Sequence, residues 1–350
     1  MITQLSPLDE WPTSDLEHLS ACPVCGSKSR HVAFSNLEDR LYRCAPGKWT
    51  IYRCSDCRSG YLDPRPDRKS IGRAYATYCT HADSDLSLSF YHKLTSGHSL
   101  HARLRNSYFN SVYGTDFSPA STQLAFVYKN IGHFKARADR LMGHLPAPQK
   151  GQKLLEIGCG GGSFLQWMSG LGWDVVGVEP DPKAADIARR RGATVLNQTF
   201  EELSFDDHSF AGIFMHHLIE HRHDPLDVLA KCRRWLVPGG TLSLATPNFN
   251  SLGCRVFGSD RMALMPPTHL VLFTPASLRR AMQDAGFHDV KNFATSFAIE
   301  NNFGPSRMLQ RDSGKWHTNY WSRLLGNKTV GTSAAFFRRW NEDIDITGIA

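Results

Sequence analysis

The stretch "LLEIGCGGGSF", residues 154–164, decides the fold of this chain. A short apolar run of strand length passes into a series of glycines and then into a sequence typical of a helix. Glycine at such a turn allows the backbone to pass close beneath a bound ligand. A dinucleotide fingerprint would need its third glycine at the position of Ser163. The loop therefore predicts a ligand site that differs from the usual pyrophosphate site.

Two acidic residues indicate what this loop would hold. Glu156 lies in the predicted strand, and Glu179 follows 21 residues after Gly158, at the end of the next apolar run. A carboxylate in the second position can accept both hydroxyls of a ribose. Together the two acids favour a ligand with a ribose and a cationic centre.

Strands and helices alternate along the carboxyl-terminal half. Helices are predicted between several apolar strands, and the strands are expected at 153–158, 174–180, 193–198, 210–215, 241–247 and 342–350. The helix in "TPASLRRAMQDAGF" is marked by Thr274 as N-cap, Pro275 in the first turn and Gly286 at the end. Such alternation predicts an α/β fold with a doubly wound, mostly parallel sheet.

The chain divides into three parts. Residues 1–68 are punctuated by Gly and Pro, so we expect short strands held by something other than a hydrophobic core. Residues 69–148 favour helices and are expected to form a connector that covers a neighbouring site. Residues 149–350 form the α/β domain, with an insertion at about 304–339 that contains or adjoins three tryptophans, Trp316, Trp321 and Trp340.

Four cysteines of the first part form two Cys-x-x-Cys pairs, Cys22 with Cys25 and Cys54 with Cys57. Four thiolates at this spacing suit a tetrahedral zinc ion, and Cys44 could substitute as a ligand. Redox chemistry is the alternative, but no thioredoxin-like strand and helix surrounds either pair. Since four thiolates leave no open coordination position, we expect a structural zinc ribbon.

Composition is ordinary for a soluble globular protein, with 41% hydrophobic and 21% charged residues among 350. There is no apolar run of about 18 residues, so no membrane span is expected. The first residues lack the basic and apolar blocks of a signal peptide, and a cytoplasmic location is the default expectation. The net charge of +7 permits an anionic partner without requiring one.

Residues 153–290 resemble a class I S-adenosylmethionine-dependent methyltransferase. The resemblance is carried, in the family's order and spacing, by "LLEIGCGGG", "VVGVEPDP", "FEELSFDDHSFAGIF", "HHLIEHRHDP", "LVPGGTLSLATPN" and "HLVLFTPASLRRAMQDAGF". It implies a Rossmann-like, doubly wound seven-stranded sheet with S-adenosyl-L-methionine as cofactor. The alternative is a Rossmann-like domain that binds another nucleotide.

The same resemblance implies the cofactor-binding residues. They are Glu156, Gly158, Cys159, Gly160 and Gly162 around the methionine end, Glu179 and Pro180 at the ribose, Thr199, Phe200 and Glu201 at the adenine, and Met215 and His216 beside the cofactor. Cys159 is interpreted as a small buried residue there, not as a nucleophile.

The stretch "HHLIEH", residues 216–221, follows the fourth strand and faces the expected methyl donor. On a helix, His217, Glu220 and His221 would share one face, as in a zinc peptidase. A peptidase would need a third ligand and a different fold. Three roles stay open: a structural hydrogen-bonded cluster, a catalytic base for a hydroxyl acceptor, and a metal site.

The metal alternative comes from a further resemblance. This segment is similar to ubiquinone-biosynthesis O-methyltransferases and small-RNA 2′-O-methyltransferases, which carry Glu-x-x-Glu-His and a histidine downstream. In those families a divalent cation activates the acceptor hydroxyl. Glu220 and His221 match, His217 replaces the first Glu, and His269 in "PPTHLVLF" would be the fourth ligand. Imidazole in place of carboxylate would shift preference from magnesium toward zinc or manganese.

The ribbon followed by this domain resembles bacterial enzymes of polysaccharide and sugar biosynthesis, especially in "YRCSDCRSGYLDPRP". The resemblance implies a hydroxyl of a sugar, glycan precursor or other small molecule as acceptor. The sequence names neither the acceptor nor the oligomeric state.

Two alternatives remain. One is an RNA methyltransferase that docks nucleic acid through its ribbon, although the ribbon shows no exposed aromatic and arginine cluster beyond Arg53, Arg58, Arg65 and Arg68. The other is a non-enzymatic ribbon protein with a vestigial pocket. Ala211 favours it, because the family usually has Asp at this position, whereas the intact acidic residues and glycine loop argue against it.

Overall fold

The computed structural model describes residues 10–40, 42–76, 99–293, 297–312 and 343–350. The strands are β1 Leu16–Glu17, β2 Arg30–Leu37, β3 Trp49–Cys54, β4 Gly60–Leu62, β5 Arg65–Pro66, β6 Lys153–Ile157, β7 Asp174–Val178, β8 Thr194–Leu196, β9 Phe210–His216, β10 Leu236–Pro247, β11 Val271–Leu272, β12 His288–Phe293 and β13 Asp343–Ile349. The α-helices are α1 Leu100–Tyr113, α2 Thr122–Asn130, α3 Gly132–Leu141, α4 Ser163–Gly170, α5 Pro182–Arg190, α6 Pro225–Trp235, α7 Leu252–Phe257, α8 Pro275–Asp284 and α9 Phe297–Asp312.

Seven strands form the central sheet in the order β8–β7–β6–β9–β10–β13–β12. Strands β6 to β10 pair in parallel, and β13 is antiparallel to both of its neighbours. Parallel pairs need crossover connections, which α4, α5 and α6 supply. The predicted doubly wound, mostly parallel seven-stranded sheet is confirmed, and the carboxyl ends of β6, β7 and β9 meet at one edge.

The ribbon segment forms a second sheet in the order β11–β4–β3–β2. Its fourth strand, β11, comes from the α/β domain, and Val271 pairs with Tyr61 across the junction. The expectation that this segment lacks a hydrophobic core is wrong. Apolar side chains such as Trp49 and Ile51 are buried in one cluster with Phe249 and Leu270 of the α/β domain, so the core is shared between the two parts.

Helices α1 to α3 form a layer that we call the helical cover. Ser99 caps α1 by accepting a hydrogen bond from the backbone N–H of Ala102, and Gly114 ends the helix in the left-handed conformation. The cover packs onto α4 through Trp167, whose ring stacks on Phe117 at 5.6 Å. Within the predicted helical connector, residues 69–148, the described residues contain the three helices α1, α2 and α3.

Two expectations fall partly outside the described residues. The predicted insertion at 304–339 begins within α9, and Trp316, Trp321 and Trp340 lie outside the described part of the chain. No helix within the described residues is long and apolar enough to cross a membrane.

Candidate active site and metal centres

The glycine loop joins β6 to α4 with left-handed backbone at Gly158, Gly160 and Gly162, whose φ angles are +79°, +51° and +76°. A Cβ at Gly162 would lie 2.6 Å from the Cβ of Ala188 on α5. Glycine is therefore required at this position both for the turn and for the close packing of helix against loop. The N–H of Gly158 donates to the carbonyl of Val178 at 2.8 Å, which holds the loop over the end of β7.

Glu156 and Glu179 flank this loop, as their positions in the sequence predict. Glu179 accepts hydrogen bonds from the backbone N–H groups of Gly160 at 2.8 Å and Asp181 at 2.9 Å. Glu156 is buried, and its Oε2 has no hydrogen-bond partner among the described residues. Burial raises the pKa of both carboxyls, and the charge of Glu179 raises that of Glu156 further. A buried carboxyl oxygen without a partner is suited to receive a polar or cationic group of a ligand.

The residues expected near an adenine take different positions. Thr199 and Glu201 are exposed on the turn after β8, and Asn197 anchors this turn by donating to the carbonyl oxygens that follow β7, at 2.9 Å. Phe200 is only 4% exposed, and its ring packs against Trp235 at 5.8 Å. The side chain of Phe200 therefore belongs to the core of the domain.

Cys159 and Met215 are buried at the ends of β6 and β9, and Pro180 is exposed beside Glu179. Burial raises the pKa of the Cys159 thiol, which agrees with a small buried residue and not with a nucleophile. The His216 ring is tilted by 34° against the ring of Phe214, with the centroids 3.8 Å apart. Burial lowers the pKa of His216 strongly, and neighbouring positive charges add to this, so the imidazole is neutral at physiological pH.

Glu220, His221 and His269 meet just beyond β9, with one oxygen or nitrogen of each within 4.8 Å of the others. The Nδ1 atoms of His221 and His269 each lie 2.9 Å from a backbone carbonyl, those of Thr268 and Ala263 respectively. An imidazole that donates through Nδ1 to a carbonyl keeps its Nε2 lone pair available, which is the usual arrangement of metal-binding histidines. These three residues fit a divalent cation.

His217 does not join this cluster, because the chain is not an α-helix at this point. Residues Ile219–His221 form a single 3-10 turn, and His217 precedes it with a φ of +51°. Its Nδ1 lies 3.3 Å from Glu220, and its Nε2 lies 3.5 Å from Asp343 on β13. The expectation of one helical face carrying all three side chains is corrected, and the histidine bridges two carboxylates.

The electrostatics of this group differ from residue to residue. Burial, together with the charge of His221, lowers the pKa of His269 to about 3. Burial acts in the same direction on His217, but the carboxylates of Glu220 and Asp343 outweigh it and raise the pKa to about 9. Burial would raise the pKa of Glu220, but contact with His217 and the other histidines lowers it to about 2. At neutral pH, His217 is therefore cationic and Glu220 anionic.

Several residues beside this group are absent from the predictions. Asp343 and Asp345 are buried on β13, and Arg140 of α3 reaches Asp345 through Nη1 at 2.9 Å. Tyr75 lies with its hydroxyl 2.9 Å from the Nδ1 of His221. The run "DIDI" could have indicated the two buried aspartates, because charged residues that alternate with isoleucine in an interior strand need a partner.

The four predicted zinc ligands come together in the ribbon. Cys22, Cys25, Cys54 and Cys57 form one group, with sulfur–sulfur distances of 3.6 Å for the pairs 22–57 and 25–54. Sulfurs bound to a tetrahedral zinc ion at about 2.3 Å are roughly 3.8 Å apart, so the geometry fits this ion. Cys44 is not part of the group, because its thiol donates to the carbonyl of Ala74 at 2.8 Å.

Comparisons with known proteins identify similar sequences and structures. A profile described as a methyltransferase domain matches residues 129–292. The ubiquinone biosynthesis O-methyltransferase of Cereibacter sphaeroides is 34% identical over 157 residues, which are 41% of this chain and 64% of that protein. The enzyme of the same name from a Chelativorans species is 30% identical over 49% of this chain and 70% of its own length. A solved S-adenosylmethionine-dependent methyltransferase of Thermotoga maritima is 22% identical, covers 65% of this chain and 94% of that chain, and has a TM-score of 0.40.

The strand order, the glycine loop and its acidic residues define a class I S-adenosylmethionine-dependent methyltransferase fold. The chain belongs to the methyltransferase family that includes the ubiquinone-biosynthesis O-methyltransferases. It spans about 64% of the length of the Cereibacter relative.

Proposed function

We propose that this chain transfers the methyl group of S-adenosyl-L-methionine to a hydroxyl of a small-molecule acceptor, such as a phenol, sugar or glycan precursor, with the help of a divalent metal ion. The observation that carries the proposal is the meeting of Glu220, His221 and His269 beside the glycine loop, with both Nδ1 atoms held by backbone carbonyls. The O-methyltransferase names of the relatives support a hydroxyl acceptor.

The donor would lie across the carboxyl ends of β6, β7 and β9. Glu156 offers a buried carboxyl oxygen to the methionine end, and the backbone of Gly158 and Gly160 approaches the ligand closely. Glu179 would accept the ribose hydroxyls, using the oxygens that now bind the N–H groups of Gly160 and Asp181. These residues orient the sulfonium so that the acceptor can attack in line.

Glu220, His221 and His269 would hold the metal through one carboxylate oxygen and two imidazole nitrogens. When bound, a divalent cation lowers the pKa of a coordinated hydroxyl and fixes its position. The hydroxyl of Thr246 donates to Glu220 Oε2 at 2.9 Å and so orients the carboxylate. Three protein ligands leave open positions for the acceptor oxygen, in contrast to the four-thiolate site.

His217 would act as a positioning residue under this proposal. Its pKa of about 9 makes it a cation at neutral pH, so it is poorly suited to accept the proton of the acceptor. Its charge lies between Glu220 and Asp343 and lowers the pKa of both carboxyls against the effect of burial. The His217 side chain is 47% exposed.

The metal proposal is tested by elemental mass spectrometry after dialysis against Mn²⁺, together with transfer of a radiolabelled methyl group to catechol and to a nucleotide sugar. We expect the His221→Ala/His269→Ala variant to lose one metal per chain and its methyl transfer, while calorimetry shows unchanged donor binding. His288→Ala, an exposed histidine on β12, is the matched control. Equal metal content and activity in the double variant would disprove the metal role.

The four cysteines of the ribbon would bind a structural zinc ion. The ribbon is tied to the candidate site, because the N–H of Leu62 donates to the carbonyl of Leu270 at 3.0 Å and Arg65 donates to the carbonyl of His223 at 3.1 Å. We expect Cys54→Ser to lose one zinc per chain and to unfold at a lower temperature, with Cys44→Ser as control. Equal zinc content in both variants would contradict this assignment.

Contacts of the ribbon support a small-molecule acceptor more than RNA. The Arg53 guanidinium lies 4.3 Å from the ring centroid of Phe249, and Arg65 is buried against Glu17 at 2.6 Å. Two of the four arginines that could have met phosphates therefore have internal partners. We expect RNA retention to be weak and equally weak in an Arg58→Gln variant, measured by filter binding at low salt.

A further inference from the structure

A buried arginine in the helical cover has no carboxylate partner among the described residues. Arg105 on α1 is 7% exposed, and its Nε has no hydrogen-bond partner within the described residues. Arg65, another buried arginine of the described chain, pairs with Glu17, whereas no carboxylate of the described residues lies within ion-pair distance of Arg105. A buried charge without a partner is costly to the folded state, so its presence calls for a ligand or another compensation.

The surroundings of Arg105 are cationic and polar. His101 lies one turn earlier than Arg105 on α1. The charge of Arg137, on the facing helix α3, lowers the pKa of Arg105. The hydroxyl of Tyr128, a residue only 1% exposed, has no hydrogen-bond partner among the described residues. Burial lowers the pKa of His101, and the charges of Arg105 and Arg137 lower it further.

Asp139 of α3, the carboxylate whose charge acts on Tyr128, already has other partners. Asp139 accepts hydrogen bonds from the hydroxyls of Tyr108 at 2.5 Å and Tyr113 at 2.8 Å, and it pairs with Lys135. Burial and the Asp139 charge raise the pKa of both tyrosines, so their hydroxyls stay protonated and keep donating to it. Asp139 is therefore not the counter-ion of the arginines.

We propose that Arg105, Arg137 and Tyr128 form a binding site for a phosphate-class oxyanion within the helical cover. Guanidinium groups donate two parallel hydrogen bonds to such an anion, and a tyrosine hydroxyl adds a third donor. The site does not depend on the proposed methyl transfer. The anion site lies near the candidate active site. Arg137 precedes Arg140 by one turn of α3, about 5 Å along the axis, and Arg140 contacts the carboxylates of β13.

Calorimetric titration of the full chain with inorganic phosphate, and separately with uridine diphosphate, tests the proposal. We expect Arg105→Met and Arg137→Met to bind both probes at least about tenfold more weakly, because each removes charge-assisted hydrogen bonds. Arg103→Met, an exposed arginine on the same helix, should bind as the parent does. Tighter binding of uridine diphosphate would indicate that the ligand is a phosphate group of a larger molecule. Equal binding of the two probes would indicate that the ligand is free phosphate.

Thermal unfolding without any anion distinguishes this site from a structural role. Removal of an uncompensated charge should leave the melting temperature of Arg105→Met unchanged or higher, and phosphate should raise the melting temperature of the parent but not of the variant. Since Arg137 is exposed, Arg137→Met keeps the affinity test valid even if Arg105→Met folds poorly. No binding to the parent, or equal affinity in the parent and the Arg137→Met variant, would overturn the proposal.

Discussion

Replacement of Arg140 by methionine tests whether the helical cover is locked to the sheet through a buried ion pair. The Arg140 side chain is 15% exposed, with Nη1 2.9 Å from Asp345 and Nη2 3.8 Å from Asp343. The two aspartates are 1% and 3% exposed, so loss of the guanidinium leaves two buried carboxylates without their arginine partner, with His217 3.5 Å from Asp343 and His144 3.6 Å from Asp345. Removing one partner of a buried pair costs about 3–5 kcal/mol, and we expect a loss in that range at pH 8.

The pH dependence gives this prediction a second signature. Burial raises the pKa of Asp343 and the charge of Arg140 lowers it, so without Arg140 this pKa rises further, the carboxyl can become neutral at low pH, and the free-energy loss shrinks as the pH falls toward 5. Urea unfolding at the two pH values measures both effects. Arg137→Met is the control, for which a change within about 0.5 kcal/mol is expected because that side chain is exposed. A loss below about 1 kcal/mol at pH 8, with an unchanged urea m-value, would refute the reasoning.

Three further predictions follow from the same geometry. Gly162→Ala should lower the free energy of unfolding by about 1–3 kcal/mol and weaken donor binding, because its Cβ would meet Ala188 at 2.6 Å in a left-handed turn. Denaturant unfolding and calorimetry measure the two effects, and values equal to those of the parent would contradict the prediction. His217 has a folded pKa of about 9 against about 6.5 when unfolded, so its stabilising contribution is complete below pH 6.5 and lost as the pH rises through 9. His217→Gln should therefore flatten the fall in stability over this range in pH-resolved melting curves, and an unaltered slope would argue against the ion pairs. Tyr75→Phe should weaken manganese binding about tenfold with little change in melting temperature, since the hydroxyl contacts the Nδ1 of His221; competition with a chelator measures it, and unchanged affinity would remove Tyr75 from the site.

Local patterns were sufficient to predict the central sheet. Each strand from Lys153 to Pro247 carries its own apolar run, and glycines or capping residues mark where the helices begin and end. The glycine loop and the two acids beside it could be predicted for the same reason. The motif is contiguous, and the backbone conformation of the loop requires glycine. The four cysteines are a similar case, because two short motifs define the whole set.

The same reasoning could not predict the core shared by the ribbon and the α/β domain, or the position of the two aspartates of β13. Phe34 of the ribbon packs edge-on against Phe249, with ring centroids 6.2 Å apart, although the two residues are more than 200 positions apart in sequence, and the local hydrophobic pattern does not indicate such a contact. Asp343 meets His217 only because β13 inserts between β10 and β12, a topological fact that the strand's own residues do not encode. The 3-10 turn at Ile219–His221 likewise replaces the expected helix, because α6 begins only at Pro225 with Asp224 as its cap.

The cationic His217 connects the two halves of the candidate site. It lies between Glu220, which faces the metal-binding histidines, and Asp343, which faces Arg140 and so the helical cover. Both carboxylates are buried, so the charge state of this one imidazole and the position of α3 affect the same small volume. A ligand that shifts the cover at Arg137 would move Arg140 as well, since the two residues lie on consecutive turns of one rigid helix. The chain therefore contains a short physical route from the proposed anion site to the residues that would hold the methyl acceptor, and binding of phosphate should change the apparent pKa of His217 in a histidine-resolved NMR titration.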